Sequence, residues 1–244
     1  MTAPPGLHLS GTARIAGARL FGPIALTVAP GSWTCLLGSS GVGKSTVLRL
    51  LAGLDAGIAF DGSAGDDTGR ALDGRVALMA QDDLLLPWAG ALDNVLLGAR
   101  LRGGRPDTDR ARGVLAQVGL ADHAARRPDQ LSGGQRQRVA LARTLIEDRP
   151  VVLLDEPFSA LDARRRAEMQ DLAARLLKGR TVLMVTHDTA EAARLGDRIV
   201  LMRPDGLADM PVPAPPPPRA PDDPQVLEAQ ARLLREMMKE RQTT

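Results

Sequence analysis

The chain has 244 residues, 44% hydrophobic and 25% charged, which bounds it to one large globular domain or two small ones. Its 31 basic and 29 acidic residues leave a formal charge of +2, too even to argue for a nucleic-acid partner. Apolar runs such as VLRLLAGL (47–54) fall far short of the ~20 residues of a membrane span, and MTAPPGLHLSGTARIAG holds no apolar signal-peptide core, so neither crossing nor export is expected. A single cysteine, Cys35, excludes an internal disulfide framework; it is expected to fill a buried strand position in a reducing compartment.

Along the chain, GSWTCLLG (31–38) reads as a short buried strand that runs into a glycine-rich turn. VLRLLAG follows as an apolar helix that stops at Gly53. Further strands are predicted at RVALMA (75–80), ending at Gln81, and at VVLL (151–154), ending at Asp155. RTVLMVT (180–186) ends at His187, and RIVLM (198–202) follows Asp197. Apolar strands that each end in a polar residue point to a mostly parallel sheet with its chemistry at the carboxyl ends. Between Gln81 and Pro150 the period changes to that of helices, in ALDNVLLGARL, TDRARGVLAQVGL and GGQRQRVALARTLIE. PVPAPPPPRAPDDP (211–224) reads as an extended proline-rich linker. Beyond it, QVLEAQARLLREMMKERQ forms an amphipathic helix with Val226, Leu227, Leu233, Leu234, Met237 and Met238 as its stripe. That stripe is wide enough to call for a packed partner: its own domain, a second copy, or another subunit.

The chemistry concentrates at strand ends. Gly38-Ser39-Ser40-Gly41-Val42-Gly43-Lys44-Ser45, followed by Thr46, is a full match to GxxxxGK[ST] between strand and helix. Glycines let the backbone wrap so that successive N–H groups point at phosphate oxygens, and the helix adds its positive end. Lys44 is placed to reach the β- and γ-phosphates and Ser45 to ligate Mg²⁺. Asp155 is expected in the Mg²⁺ shell, with Glu156 polarising an attacking water. His187 either holds the γ-phosphate or orients that water, or else is structural.

Leu131-Ser132-Gly133-Gly134-Gln135 opens a helix; with Gln81, Asp155-Glu156, SALD (159–162) and His187 it resembles the ATP-binding subunit of ABC transporters over roughly residues 7–210. The resemblance implies an α/β fold: a RecA-like P-loop NTPase core with an antiparallel β edge and an inserted α-helical subdomain. Residues 1–81 and 150–210 would form the core, 82–149 the signature subdomain, 211–224 the linker and 225–244 the C-terminal helix. It implies ATP and Mg²⁺ as cofactors and two copies packed head to tail. Ser132, Gly133, Gly134 and Gln135 would bind ATP held by the other copy, with Asp162 at the seam. Gln81 would sense Mg²⁺ and water, and Glu156 would be the catalytic carboxylate. The family stacks adenine on an aromatic near Ile15, but this chain has no tyrosine. The adenine contact is expected at Ile15 or at Phe21, which equally reads as core.

After Gln81 come Asp82-Asp83-Leu84-Leu85-Leu86-Pro87-Trp88 and Asp93-Asn94-Val95. The apolar patch either packs the helical subdomain or receives a helix of a membrane permease. LLPW followed by DNV resembles importer subunits for nitrate, sulfonates, taurine, and thiamine or its pyrimidine precursor. Thiamine-type import is the first expectation, and nitrate, sulfonate or taurine import the alternative. Partners implied are a second copy, the permease and, indirectly, a solute-binding protein, at the cytoplasmic face of the inner membrane and without nucleic acid. A soluble ABC-type ATPase acting on DNA or ribosomes is the reading from another class. The short step from Ser45 to Leu131, with no cysteine cluster, and the single cassette speak against it. Arg164–Arg166 reads as a solvated helix face, and His8 and His123 as surface or loop positions.

Overall fold

In the computed structural model, which describes residues 3–204 and 206–240, the apolar runs become strands in the expected places. The elements are β1 (Leu7–Ile15), β2 (Ala18–Val28), β3 (Trp33–Leu37), α1 (Lys44–Leu51), β4 (Ile58–Asp66) and β5 (Val76–Met79). A helical stretch follows, with α2 (Ala91–Val95), α3 (Leu97–Leu101), α4 (Thr108–Gln117) and α5 (Gly133–Leu145). The chain then forms β6 (Val151–Asp155), α6 (Ala163–Leu176), β7 (Thr181–Thr186), α7 (Thr189–Leu195), β8 (Arg198–Arg203), β9 (Gly206–Met210) and α8 (Pro224–Glu240).

A six-stranded sheet runs in the order β5-β6-β7-β3-β8-β9, parallel throughout except for β9, which returns antiparallel to β8. Because side chains alternate, each buried strand feeds two cores. Leu36, Leu153, Leu183, Val185, Val200 and Met202 face α1 and a separate antiparallel sheet, β2-β1-β4. Cys35, Leu37, Val152, Leu154, Met184 and Ile199 face the opposite way, among residues of α5, α6 and α7 such as Val139, Leu172 and Ala192. Each such side chain contributes about 1.5–3 kcal/mol on full burial. Cys35 is fully buried in β3, where desolvation pushes its thiol far above the usual range, so it is a packing residue.

The amphipathic run 91–101 breaks at Leu96 into α2 and α3 instead of running as one helix. The prolyl stretch after β9, expected as an extended linker, is docked on the domain through Arg219. Arg219 is buried at 4% exposure, and its guanidinium donates to the carbonyls of Ala193 and Gly196 at 2.9 Å each and of Pro213 at 3.0 Å. The carbonyls at the end of α7 lack helical partners, and a cation there satisfies them. α8 then packs on α7 through Val226, Ala229 and Leu233, while Leu227, Leu234 and Met238 remain exposed. Residues 241–244 of the expected C-terminal helix lie outside the described residues. Among the described residues no helix is long and apolar enough to cross a membrane.

Candidate nucleotide site

The turn between β3 and α1 folds as it does because its glycines take a backbone that other residues resist. Gly41 and Gly43 sit at φ 84° and 106°. A Cβ on Gly43 would come within 2.6 Å of Phe21 Cδ1, and one on Gly38 within 2.7 Å of the Met202 carbonyl. Val42 and Thr46 anchor the loop inward, while Ser40, Gly41 and Ser45 form its open rim. Lys44 is buried, and its Nζ donates to the carbonyls of Gly38 and Ser39 at 2.8 Å each, which holds the ammonium over the cradle.

The parallel order sets β6 next to β5 and β7, so their carboxyl ends converge on this loop. Ser45 Oγ donates to Asp155 Oδ1 at 2.9 Å. Burial raises the Asp155 carboxyl above its ordinary value, and the Ser45 hydrogen bond opposes that rise. A desolvated carboxylate next to a hydroxyl is a hard-oxygen pair that fits Mg²⁺, which takes one or two protein ligands and draws the rest from phosphates and water. Glu156 follows at φ 45°, a left-handed conformation that costs a side-chain-bearing residue about 1–3 kcal/mol. Its N–H donates to the Val185 carbonyl at 2.9 Å, and its own carbonyl accepts from Ser159 Oγ at 3.1 Å, which fixes that backbone. The carboxylate meets Gln81 Nε2 at 3.1 Å and His187 Nδ1 at 3.0 Å, both on Oε2. Gln81, Glu156 and His187, drawn from three strand ends, thus form one cluster beside the Ser45–Asp155 pair.

Ser132, Gly133, Gly134 and Gln135 stand apart from that cluster. Ser132 caps α5: its Oγ accepts from the Gln135 N–H at 3.3 Å, and Gln135 Oε1 accepts from the Ser132 N–H at 2.8 Å. The concavity beside them is completed by Arg138, Leu161 and Arg165, with none of residues 38–46 in its lining. Asp162 caps α6 by accepting from the Arg165 N–H at 3.0 Å.

Sequence reasoning assigns no structural role to three residues that hold these parts, though Asn94 stands in its DNV motif. Arg136 donates to Asp83 at 3.0 Å and to the Leu131 carbonyl at 3.1 Å, so one guanidinium ties the loop after Gln81 to the start of the signature. Arg143 donates to the carbonyls of Asp83 and Leu84 at 2.6 and 2.8 Å. Asn94, fully buried, accepts from the Leu86 N–H at 2.7 Å and donates to the Ala89 and Gly90 carbonyls at 3.1 Å each. No spacing rule marks these residues, because each serves irregular backbone distant in sequence. With that loop held from within, Leu84 and Trp88 project outward at 61% and 70% exposure.

Phe21 resolves to its core reading, and His123 gains a partner. Phe21 is fully buried behind Gly43 and cannot stack on a base, which leaves Ile15, 41% exposed at the end of β1. His123 is no isolated loop residue: its Nε2 lies 3.0 Å from Gln135 Nε2. His8 lies 3.4 Å from Ser63 Oγ across the antiparallel sheet.

The family described as ABC transporter matches residues 21–159. The chain belongs to that family. An aliphatic sulfonates import ATP-binding protein SsuB of Delftia acidovorans is 43% identical over 234 residues, 95% of this chain and 93% of that protein. The protein of the same name from Cupriavidus necator is 50% identical over 202 residues, 80% of this chain and 65% of that one. An uncharacterized ABC transporter ATP-binding protein of Haemophilus influenzae is 48% identical over 192 residues, 77% of each chain. The chain is accordingly an ATP-binding ATPase subunit of the importer group of nitrate, sulfonate and taurine type. The relatives do not support the thiamine-type solute expected first; their names favour the sulfonate alternative.

Proposed function

We propose that this chain hydrolyses Mg-ATP to drive import of an aliphatic sulfonate through a membrane permease at the cytoplasmic face of the inner membrane. The similarity to sulfonate-import subunits across 95% of the chain carries the solute class, and the Glu156 cluster carries the chemistry. In this reading Gly38–Thr46 cradle the phosphates, and Lys44 exchanges its carbonyl partners for β- and γ-oxygens. Ser45 and Asp155 would hold Mg²⁺, which when bound would supply charge neutralisation at the phosphates. Glu156 takes the proton of the attacking water, and Gln81 and His187 orient that carboxylate and the γ-phosphate. Ser132 and the Gly133–Gln135 amides of a second copy close over the same phosphate from a helix N-terminus. The exposed Leu84–Trp88 loop, tethered through Arg136 and Arg143 to the signature helix, receives the permease.

The test is to isolate the tagged chain from its native membranes in mild detergent and identify what accompanies it. A multi-spanning permease is expected. Its cognate binding protein, purified, should then be stabilised against heat by alkanesulfonates and not by thiamine or its pyrimidine precursor. Stabilisation by the pyrimidine alone would overturn the solute class, and recovery with ribosomal or DNA-processing proteins and no permease would overturn the importer reading.

A further inference from the structure

α8 carries two apolar stripes where its own fold uses one. Val226, Ala229 and Leu233 are buried against α7, with Met237 packed beside them. A quarter turn away, Leu227, Ala231, Leu234 and Met238 all face solvent. Their spacing of four, three and four residues is that of a coiled-coil seam, and it runs for about 16 Å at 1.5 Å per residue. The flank of that seam is charged: Glu228 and Arg235, seven residues apart, lie on one side, and both are exposed.

We propose that this outer stripe of α8 pairs antiparallel with the same stripe of a second copy of this chain. A two-fold axis makes such a contact self-complementary, so every pairing occurs twice. Leu227 then lies opposite Met238 of the second copy, and Ala231 opposite its Leu234. Glu228 of each chain meets Arg235 of the other, replacing its present in-helix partner Arg232 at 3.0 Å. A parallel pairing offers no such match, since Glu228 and Arg235 would face the uncharged Gln230 and Met237 flank. Position favours the same partner. The start of α8 and the start of α6 line a common recess through Val226, Gln230, Ala163 and Arg166, next to the Asp162 cap. Two helices of this length bury too little to hold a dimer unaided. The contact instead adds to the ATP-bridged pair, where the second association is intramolecular. The inference rests on the head-to-tail reading above and extends its interface.

The test is sedimentation velocity of the Glu156→Gln chain in Mg-ATP, with further changes on α8. Glu228→Arg and Arg235→Glu should each weaken the ATP-dependent dimer about tenfold, and the double reversal should restore it to within about twofold. Leu234→Glu should weaken it at least as much. These side chains are exposed, so thermal unfolding of each variant should match the parent. An ATP-dependent dimer indifferent to all four variants overturns the proposal and leaves the head-to-tail reading intact. Variants that lose only co-purification with the permease overturn it too, and give the stripe to that subunit. If the parent stays monomeric in Mg-ATP, the head-to-tail reading fails by itself. The seam is then decided by mixing Ala231→Cys with Leu234→Cys protein at high concentration under oxidation, which traps weak encounters: a 231–234 heterodimer in excess over the two homodimers supports it, and no excess rejects it.

Discussion

The two halves of the proposed nucleotide site are built on different principles. At the strand ends, polar groups from β3, β5, β6 and β7 are already tied to one another: Lys44 to the loop carbonyls, Ser45 to Asp155, Gln81 and His187 to Glu156. At the N-terminus of α5, Ser132 and Gln135 are tied to each other and, through Gln135, to His123, and their concavity is lined by the helical subdomain and the start of α6. The first half is preorganised by a sheet whose parallel strands end together. The second is a helix N-terminus offered outward. In the proposed head-to-tail reading, a site assembled from both takes its second half from another chain.

The contrast is sharpened most by Glu156→Gln. It keeps the shape of the preorganised half and removes its base, so turnover in single-cycle assays should fall by at least ~100-fold while nucleotide binding persists. Near-normal turnover would move the base elsewhere. Ser132→Arg attacks only the outward half; ATPase activity should fall ~10–100-fold with ATP affinity for the chain unchanged in equilibrium titration. A matching loss of affinity would mean that the signature serves its own nucleotide.

Arg143→Met cuts the tether between the halves. Two carbonyls in the Asp83–Leu84 loop lose their donor, a change of about 1–3 kcal/mol in local order. Hydrogen exchange across 82–90 should rise about tenfold, and permease stimulation of the ATPase should weaken more than the basal rate. Equal loss of both would argue against a coupling role.

Glu191→Gln probes the frame behind His187. Burial raises the Glu191 carboxyl to about 7, despite a 2.7 Å hydrogen bond from Thr186 and the Arg166 and His187 charges. The unfolded value is 4.5, so between about pH 4.5 and 7 the folded chain holds the extra proton, and stability falls as pH rises through that window. The variant should flatten that decline by about 2 kcal/mol in denaturant titrations at pH 5 and 7.5. An unchanged slope would show that the carboxyl is ionised throughout.

The smallest effect is expected at the rim. Ile15→Tyr supplies an aromatic face where Phe21 cannot, and should tighten ATP binding about threefold by calorimetry. Unchanged or weaker affinity would place the adenine away from β1.

The chemistry was legible because it sits where periodicity breaks. Gln81, Asp155 and His187 each end an apolar run, and GGQ opens one. The antiparallel sheet was much less so. β4, IAFDGSAGD, shows little alternation, since Gly62 faces β1 backbone so closely that a Cβ would sit 2.1 Å from the Ser10 carbonyl. There the fold relies on close backbone approach, which leaves no apolar pattern to read. Arg219 lay hidden for another reason: a lone arginine among prolines resembles a solvated linker until the carbonyls at the end of α7 are seen to need it.

The central claim is that the two halves meet only between chains. It is tested most directly by mixing differently tagged Ser39→Cys and Ser132→Cys proteins with Mg-ATP under mild oxidation; native Cys35 is buried and silent. The account predicts a disulfide joining position 39 of one chain to position 132 of the other, formed only with nucleotide. No intermolecular linkage, together with a 39–132 bond inside single chains carrying both changes, would contradict it.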